Sequence, residues 1–392
     1  MPKVGYTRRE AMKDLCSWPL YAAATRQLRR GAALPDKDLF PFTGVYLNAA
    51  YTHPMGRHAS AAGEAHLASR LHDASRAWPG DNPRNAAVRM FAPLINANPS
   101  EIAVVPSTME GENLVGAAVG LGPQAGVVTD ALHYDASLAM YAAMHQLRGV
   151  PVAVAPVRHN RIELADMDRL IAANTRLVAV SLVSSATGFE HDLKALCALA
   201  HAKGALVYAD IIQAAGAVPI DVKASGVDFC CCGTYKWLMG DFGTAFLYVR
   251  PDRLSTLQRV EFGWRQFGPG EKLGTSTISH FEVSTPAWGA LAIAAASIGY
   301  VRDLGVETIQ RHRQPLLDAL QRELPKRGFT SMTPPESRGP TVAFSHPDAE
   351  ARFSAKLKQA GVTITIGQNS IRVSPSVYND MDDIERLLQV LR

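Results

Sequence analysis

Residues 206–249 read LVYADIIQAAGAVPIDVKASGVDFCCCGTYKWLMGDFGTAFLYV. Two short apolar runs, 206–209 and 227–231, flank a turn-rich segment, and a third at 244–249 follows a glycine turn. Within these runs 206–209, 229–231 and 245–249 are apolar at consecutive positions, which is the pattern of a strand covered on both faces. Asp210 closes the first run, Gln213 lies three residues on, and Lys236 follows the second run. A carboxylate at the carboxyl end of a buried strand stands where open α/β sheets gather their ligands.

The same texture extends upstream, with apolar β-branched runs at 101–105, 126–129, 152–155 and 177–182 alternating with helical patterns. That alternation predicts an α/β fold with a mainly parallel seven-stranded sheet between helices. After about residue 260 the pattern changes. A Gly/Pro-rich stretch (Phe267-Gly268-Pro269-Gly270) leads to an Ala-rich helix over 287–302 and a second helix over 306–324. Strands near 341–345, 362–366 and 371–374 complete a small α+β domain. The expected division is an N-terminal helical segment at 1–44 packing with the small domain, a large domain at 45–265 and a small C-terminal domain at 266–392.

Composition narrows the function class. Of 392 residues, 47% are hydrophobic and 19% charged, a globular balance. The formal charge of +4 comes from 40 Lys plus Arg against 36 Asp plus Glu, dispersed along the chain. Dispersed charge favours a small-molecule enzyme over a nucleic-acid binder, and the basic cluster at 26–30 (RQLRR) reads as a solvated helix face. Three of the five cysteines are the consecutive Cys230, Cys231 and Cys232, neighbours on opposite faces of a strand that cannot bridge one another. With no C-x-x-C spacing, the expectation is no disulfide framework, no metal site and a reducing, cytoplasmic setting. No apolar run reaches the length of a membrane span. Thr7-Arg8-Arg9-Glu10-Ala11-Met12-Lys13 resembles a twin-arginine export motif, so periplasmic export is the alternative location; Pro19 breaks the short apolar stretch behind it, which favours an ordinary amphipathic helix.

The opening segment also carries chemistry. A carboxylate at Asp210 can pair with a pyridine nitrogen and keep it protonated, Gln213 can reach a ring oxygen, and the amine of Lys236 can form a Schiff base with an aldehyde. Alone, Asp210 reads as a helix cap and Lys236 as a surface lysine. In this order they form the set of groups that pyridoxal 5′-phosphate requires.

D-x-x-Q followed by Y-K-W-L-x-G resembles the class V aminotransferase family of fold-type I pyridoxal-phosphate enzymes, which includes cysteine desulfurases, kynureninases and isopenicillin N epimerase-like proteins. The resemblance runs from about Tyr46 to the C-terminus. It implies a phosphate loop at Ser107-Thr108-Met109-Glu110-Gly111-Glu112-Asn113, with Thr108 giving its hydroxyl and Met109 only its backbone N–H. His133 stands where the family places a ring that stacks on the cofactor and helps move protons, with Tyr134 as the neighbouring alternative. Ser185 replaces an asparagine that contacts the ring oxygen. Tyr235 is placed to reach the phosphate, and Thr285, in Phe281-Glu282-Val283-Ser284-Thr285-Pro286, the phosphate of a partner subunit. Arg372 matches the arginine that holds the substrate carboxylate as a bidentate pair. Trp264, in a Gly-Trp-Arg segment, lies near the substrate pocket or anchors a domain interface.

The activity implied is that of a pyridoxal-phosphate enzyme on an amino acid, with Lys236 as Schiff-base lysine and as the base that takes the α-proton. Aminotransferase is the first expectation, lyase or epimerase the alternative, and a homodimer with interface active sites the expected assembly. Desulfurases of the family carry a nucleophilic cysteine on a loop shortly before the carboxylate arginine, and 363–370 (TITIGQNS) has none. A catalytically idle binding protein would not need the complete set of Lys236, Asp210, Gln213 and Arg372. Gly120-Leu121-Gly122-Pro123-Gln124-Ala125-Gly126 is misspaced for a dinucleotide loop, and no P-loop, G-x-S-x-G or H-E-x-x-H motif occurs.

Overall fold

The computed structural model describes residues 34–72, 82–266 and 277–392. The export-like motif, the basic cluster at 26–30 and the Gly/Pro stretch at 267–270 lie outside them. The first part of the chain runs β1 (Val45–Tyr46), α1 (Arg57–His72), α2 (Pro83–Phe91), β2 (Ile102–Val105), α3 (Thr108–Ala118), β3 (Gly126–Asp130), α4 (Asp135–Arg148), β4 (Val152–Ala155), α5 (Leu164–Leu170), β5 (Thr175–Ser181), α6 (Leu193–Ala202), β6 (Leu206–Asp210), α7 (Val222–Ser225), β7 (Phe229–Gly233) and β8 (Ala245–Val249). Seven strands form one sheet in the order β2-β8-β7-β6-β5-β3-β4. β8 alone runs antiparallel to its neighbours, so the sheet is mainly parallel, as the apolar runs predict.

Both faces of this sheet are covered, which explains why its strands are apolar throughout. Ile102, Val104, Val128, Val178, Val180, Val207 and Phe246 pack into one apolar cluster, and Ala103, Val127, Leu177, Tyr208, Phe229 and Leu247 into another. Cys230, Cys231 and Cys232 lie in β7 as free, buried thiols, all pushed well above their ordinary pKa by burial. β7 begins two residues later than its apolar run, because Asp228 at its start is occupied with the side chains of His201, Arg250 and Arg253 and with the Val207 N–H.

The second part runs α8 (Trp288–Leu304), α9 (Val306–Glu323), β9 (Thr330–Ser331), β10 (Val342–Ser345), α10 (Ala349–Ala360), β11 (Val362–Thr363), β12 (Thr365–Gly367), β13 (Ser370–Val373) and α11 (Met381–Val390). An antiparallel sheet, β12-β13-β10-β9, shares a core with α9, α10 and α11.

Packing divides the chain differently from the expected boundaries at 45 and 266. β1 pairs in parallel with β11, and Val45 and Leu47 belong to the small domain's core. α8 packs Leu291, Ala294, Ala295 and Ile298 into the large domain's cluster with Ala87, Val88 and Phe91 of α2. Its alanines let neighbouring helices approach closely. A change of texture at 260 therefore marks the end of the sheet, not the end of the domain built on it. Of the segment expected to be helical at 1–44, the described residues 34–44 form turns and extended chain.

No single helix among the described residues is long and apolar enough to cross a membrane, and no group of three His, Cys, Asp or Glu side chains among them could hold a metal ion.

Candidate active site

Lys236 sits in the connection from β7 to β8, a loop tied to itself by backbone bonds. The Gly240 N–H donates to the Thr234 carbonyl at 2.8 Å and the Met239 N–H to the Lys236 carbonyl at 2.8 Å. Gly216 stands behind this loop with φ of +87°, and a Cβ there would lie 2.5 Å from the Trp237 carbonyl oxygen, so both conformation and space call for glycine. Trp237 is buried and donates its indole N–H to Gln213 Oε1 at 2.9 Å. The Arg313 guanidinium, from α9, packs 5.4 Å from the Trp237 ring and donates to the Ala217 carbonyl at 2.9 Å. On the other side the His53 N–H donates to the Tyr235 carbonyl at 3.0 Å, and His53 Nε2 meets Ser376 Oγ at 2.8 Å. Both domains thus grip the lysine loop.

The Lys236 side chain is only 9% exposed as a residue. Burial brings its amine down to about 8 from the ordinary lysine value, with the charge of Arg372 acting in the same direction and that of Asp210 against it. Asp210, at the carboxyl end of β6, is buried, and burial raises its carboxyl to about 6 while His133 and Lys236 oppose the rise. Its Oδ1 accepts the Ile212 N–H at 2.8 Å, which fixes the carboxylate's orientation.

α3 opens toward β7. The Ser107 hydroxyl oxygen accepts the Glu110 N–H at 3.1 Å as an N-cap, and the Gly111 N–H reaches the Ser107 carbonyl. The N–H groups of Thr108 and Met109 have no partner among the described residues. An uncovered pair of amides at a helix N-terminus suits a phosphate. Thr108 Oγ1 accepts the Gly233 N–H at 2.9 Å, which leaves its own O–H free to donate. Gly111 brings the helix against the sheet, since a Cβ there would lie 2.5 Å from Cys231 Sγ.

Arg372 projects from β13 and donates to the Ser185 carbonyl at 2.6 Å and the Thr365 hydroxyl at 3.0 Å. Its Nε is buried without a partner, and no carboxylate pairs with it among the described residues. Burial pulls its pKa down. Ser185 therefore acts here through its backbone, holding the arginine.

Other expected positions are arranged differently from a simple ligand shell. Gln213 spends its carbonyl on Trp237 and one N–H on the Ala50 carbonyl at 2.9 Å, leaving its second N–H for a ligand. Tyr235 stacks on Phe242 at 4.7 Å between centroids, and burial pushes its hydroxyl up to about 12. Trp264 is 61% exposed, its ring beside the Arg265 guanidinium, and Thr285 is also on the surface. Met109 receives a contact from the Ser137 hydroxyl at its sulfur, 3.4 Å away.

Sequence reasoning reached His133 but not its partners, and it missed the pairing of Glu282. Glu282 is buried and binds Arg84 and Arg265 while accepting the Val104 N–H of the edge strand at 2.9 Å. His133 lies between Glu112, 2.9 Å from its Nε2, and Ser181, 2.8 Å from its Nδ1; Ser137 and Tyr141 of α4 also donate to Glu112. The i, i+4 placement of Ser137 and Tyr141 is a polar stripe on α4 that could have been noticed, but nothing local names its partner.

A lysine of lowered basicity, a buried carboxylate, a helix N-terminus with open amides and an arginine lacking an anion fit pyridoxal 5′-phosphate and an amino-acid carboxylate. Fold and site together define a pyridoxal-phosphate enzyme of fold type I. The model of the family described as aminotransferase class-V matches residues 82–387, and the chain belongs to that family. It is 27% identical over 300 residues to a Bacillus subtilis (strain 168) protein described as the uncharacterized aminotransferase YcbU, covering 76% of this chain and 80% of that one. It is 29% identical to a cysteine desulfurase of Klebsiella pneumoniae, covering 79% and 82% respectively. Among solved structures, the Escherichia coli cysteine desulfurase CsdA superposes with a TM-score of 0.82 at 21% identity, covering 92% of this chain and 98% of that one, a likeness of fold.

Proposed function

We propose that the protein is a pyridoxal-phosphate-dependent aminotransferase acting on an α-amino acid, with Lys236 as both attachment point and base. The observation that carries this is the guanidinium of Arg372, close enough to Lys236 to depress its pKa, bonded only to neutral oxygens and holding a buried Nε without a partner. An arginine so placed supplies charge and a planar fork for a substrate carboxylate.

When bound, the cofactor supplies an aldehyde for Lys236 and a ring that draws electrons from the substrate's α-carbon. The chain's own residues do the rest. Asp210, held by the Ile212 N–H, would keep a proton on the ring nitrogen; the amides of Thr108 and Met109 and the Thr108 hydroxyl would hold the phosphate, joined by the Tyr235 hydroxyl. Arg372 would anchor the carboxylate, and Lys236, with an amine near 8, would take the α-proton and, for amino transfer, deliver it to the cofactor's former aldehyde carbon instead of back to the α-carbon. Gln213 offers its second N–H toward the ring.

Sulfur transfer of the desulfurase kind is disfavoured by chemistry. The turn before Arg372 is a tight hairpin, Gly367 paired with Ser370, without cysteine, and the described cysteines are buried with their thiols pushed up. Free buried cysteines also support a reducing, cytoplasmic setting. A homodimer is supported by the exposed aromatics Tyr51, Phe242, Phe262 and Trp264 and by the surface position of Thr285, which a second copy would cover.

The test is a panel of amino acids given to the enzyme with and without a 2-oxo acid, following α-deuterium in heavy water. Amino transfer to the oxo acid supports the reading; release of ammonia with a fragment, or inversion at the α-carbon, would replace it with lyase or epimerase. Absence of Schiff-base absorbance near ~420 nm, together with no borohydride-fixed cofactor on Lys236, would overturn all three.

A further inference from the structure

Glu112 lies on α3 one turn beyond Thr108 and is 1% exposed. Its Oε1 accepts the Tyr141 hydroxyl at 2.7 Å and lies 2.9 Å from His133 Nε2; its Oε2 accepts the Ser137 hydroxyl at 2.7 Å. A carboxyl group serves as acceptor at every bond only when ionised, and three potential donors converge on this one. A lone charge buried so deeply is strongly disfavoured, and His133 is the one group in the cluster able to carry the compensating positive charge. The far nitrogen of His133, Nδ1, lies 2.8 Å from Ser181 Oγ, at the end of β5. Ser181 is the register partner of Asp210 in β6, so the histidine ring stands against the cofactor's acidic partner.

The groups facing His133 are acidic or neutral. Glu112 comes from α3, Asp130 from the end of β3, where it also binds His191 at 3.1 Å, and Asp210 from β6. The nearby phenols of Tyr141 and Tyr208 are kept neutral by burial.

We propose that Glu112 is a positioning residue of the active site, whose carboxylate holds His133 doubly protonated, with the Nδ1 proton donated to Ser181 beside Asp210. The balance of shifts agrees: burial alone would lower His133 and raise Glu112, yet their contact leaves His133 raised and Glu112 lowered. An imidazolium cannot accept a proton, so of the two titratable groups offered for α-proton transfer only Lys236 can act as base. Its fixed positive charge stabilises negative charge developing beside Asp210. The catalytic meaning of this assignment rests on the class V reading above; the charge state of His133 does not.

The experiment is histidine-selective nitrogen NMR of the holoenzyme through about pH 6 to 9, with His133→Asn used to assign the resonance. The wild type is expected to show both ring nitrogens of His133 protonated near neutral pH. In Glu112→Gln the midpoint should fall by about 1–3 units, the effect of removing an adjacent opposite charge, and Glu112→Asp should restore part of it. The alkaline limb of kcat/KM should move in the same direction. A neutral His133 in the wild type, or an unchanged midpoint in Glu112→Gln, overturns the proposal. The wild-type spectrum decides it alone if the variant does not fold. An imidazolium in a protein that turns over no amino acid would support this assignment while removing the proposed function.

Discussion

Replacing Arg372 with methionine should leave the fold nearly as stable and the substrate nearly unbound. The guanidinium makes two hydrogen bonds, to the Ser185 carbonyl and the Thr365 hydroxyl, and leaves Nε buried without a partner. Hydrogen bonds from a charged donor contribute about 1.5–3 kcal/mol each. Against this stands the desolvation of a cation that no carboxylate neutralises among the described residues, and replacing buried ionic groups by apolar side chains is often neutral or stabilising by about 1–4 kcal/mol. The two effects largely offset, leaving a net loss of about 2 kcal/mol, or roughly 2 °C in Tm for a chain of this size. Binding is a different matter. Truncating one partner of a hydrogen-bonded charge pair costs about 2–5 kcal/mol, which corresponds to roughly a 30- to 5,000-fold rise in KM for a carboxylate-bearing substrate. The assay is a thermal scan of the holoenzyme beside steady-state kinetics, or the Kd of an unreactive carboxylate inhibitor. A structural arginine would behave in the opposite way. A fall in Tm of about 6 °C or more, with KM changed less than about threefold, would refute the assignment.

Four further outcomes follow from the same geometry. In Asp210→Asn the charge that opposes the burial of Lys236 is gone, so the free Lys236 amine should lose its proton at a lower pH than in the wild type, read as a downward shift in the pH dependence of cofactor attachment to the cofactor-free protein, followed by absorbance. Because the unfolded chain binds more protons than the folded one between about 8 and the ordinary lysine value of 10.5, this group's contribution to the stability of the cofactor-free protein should rise with pH across that window; an opposite slope assigned to Lys236 would contradict its burial. Glu282→Gln removes the charge shared by Arg84 and Arg265 and weakens the acceptor for the Val104 N–H; since both arginines retain some water contact, the expected loss is about 2–4 kcal/mol, read as a fall in Tm. Gly111→Ala places a methyl group against Cys231 Sγ and should destabilise by about 1–3 kcal/mol, with partial recovery in the double variant carrying Cys231→Ala; additivity of the two changes would exclude direct contact.

Much of the fold and part of the site were legible in the sequence because they follow from local pattern. Consecutive apolar residues at 206–209 and 245–249 identify strands buried on both sides, and the distance from Asp210 to Lys236 accommodates one crossover between neighbouring parallel strands. Polar residues at strand ends mark where the chemistry lies. Pairings that depend on which elements meet were not legible. Glu112 and His133 are 21 residues apart, on a helix and on the loop after the following strand, and they meet only because α3 packs across the sheet against β6 and β7 while the loop after β3 reaches back to it. The pairing of β1 with β11 bridges more than 300 positions and carries Val45 into the small domain, while α8 returns to the large one. Gln213 was identified as a ring-oxygen donor, but tertiary structure commits its carbonyl and one N–H to Trp237 and Ala50. By itself the sequence determined the sheet and the places of Asp210 and Lys236 at its strand ends, since hydrophobic period and chain order act over a few residues. Tertiary structure decided which charges are compensated and which remain open, because burial and hydrogen-bond partners are properties of the packed chain.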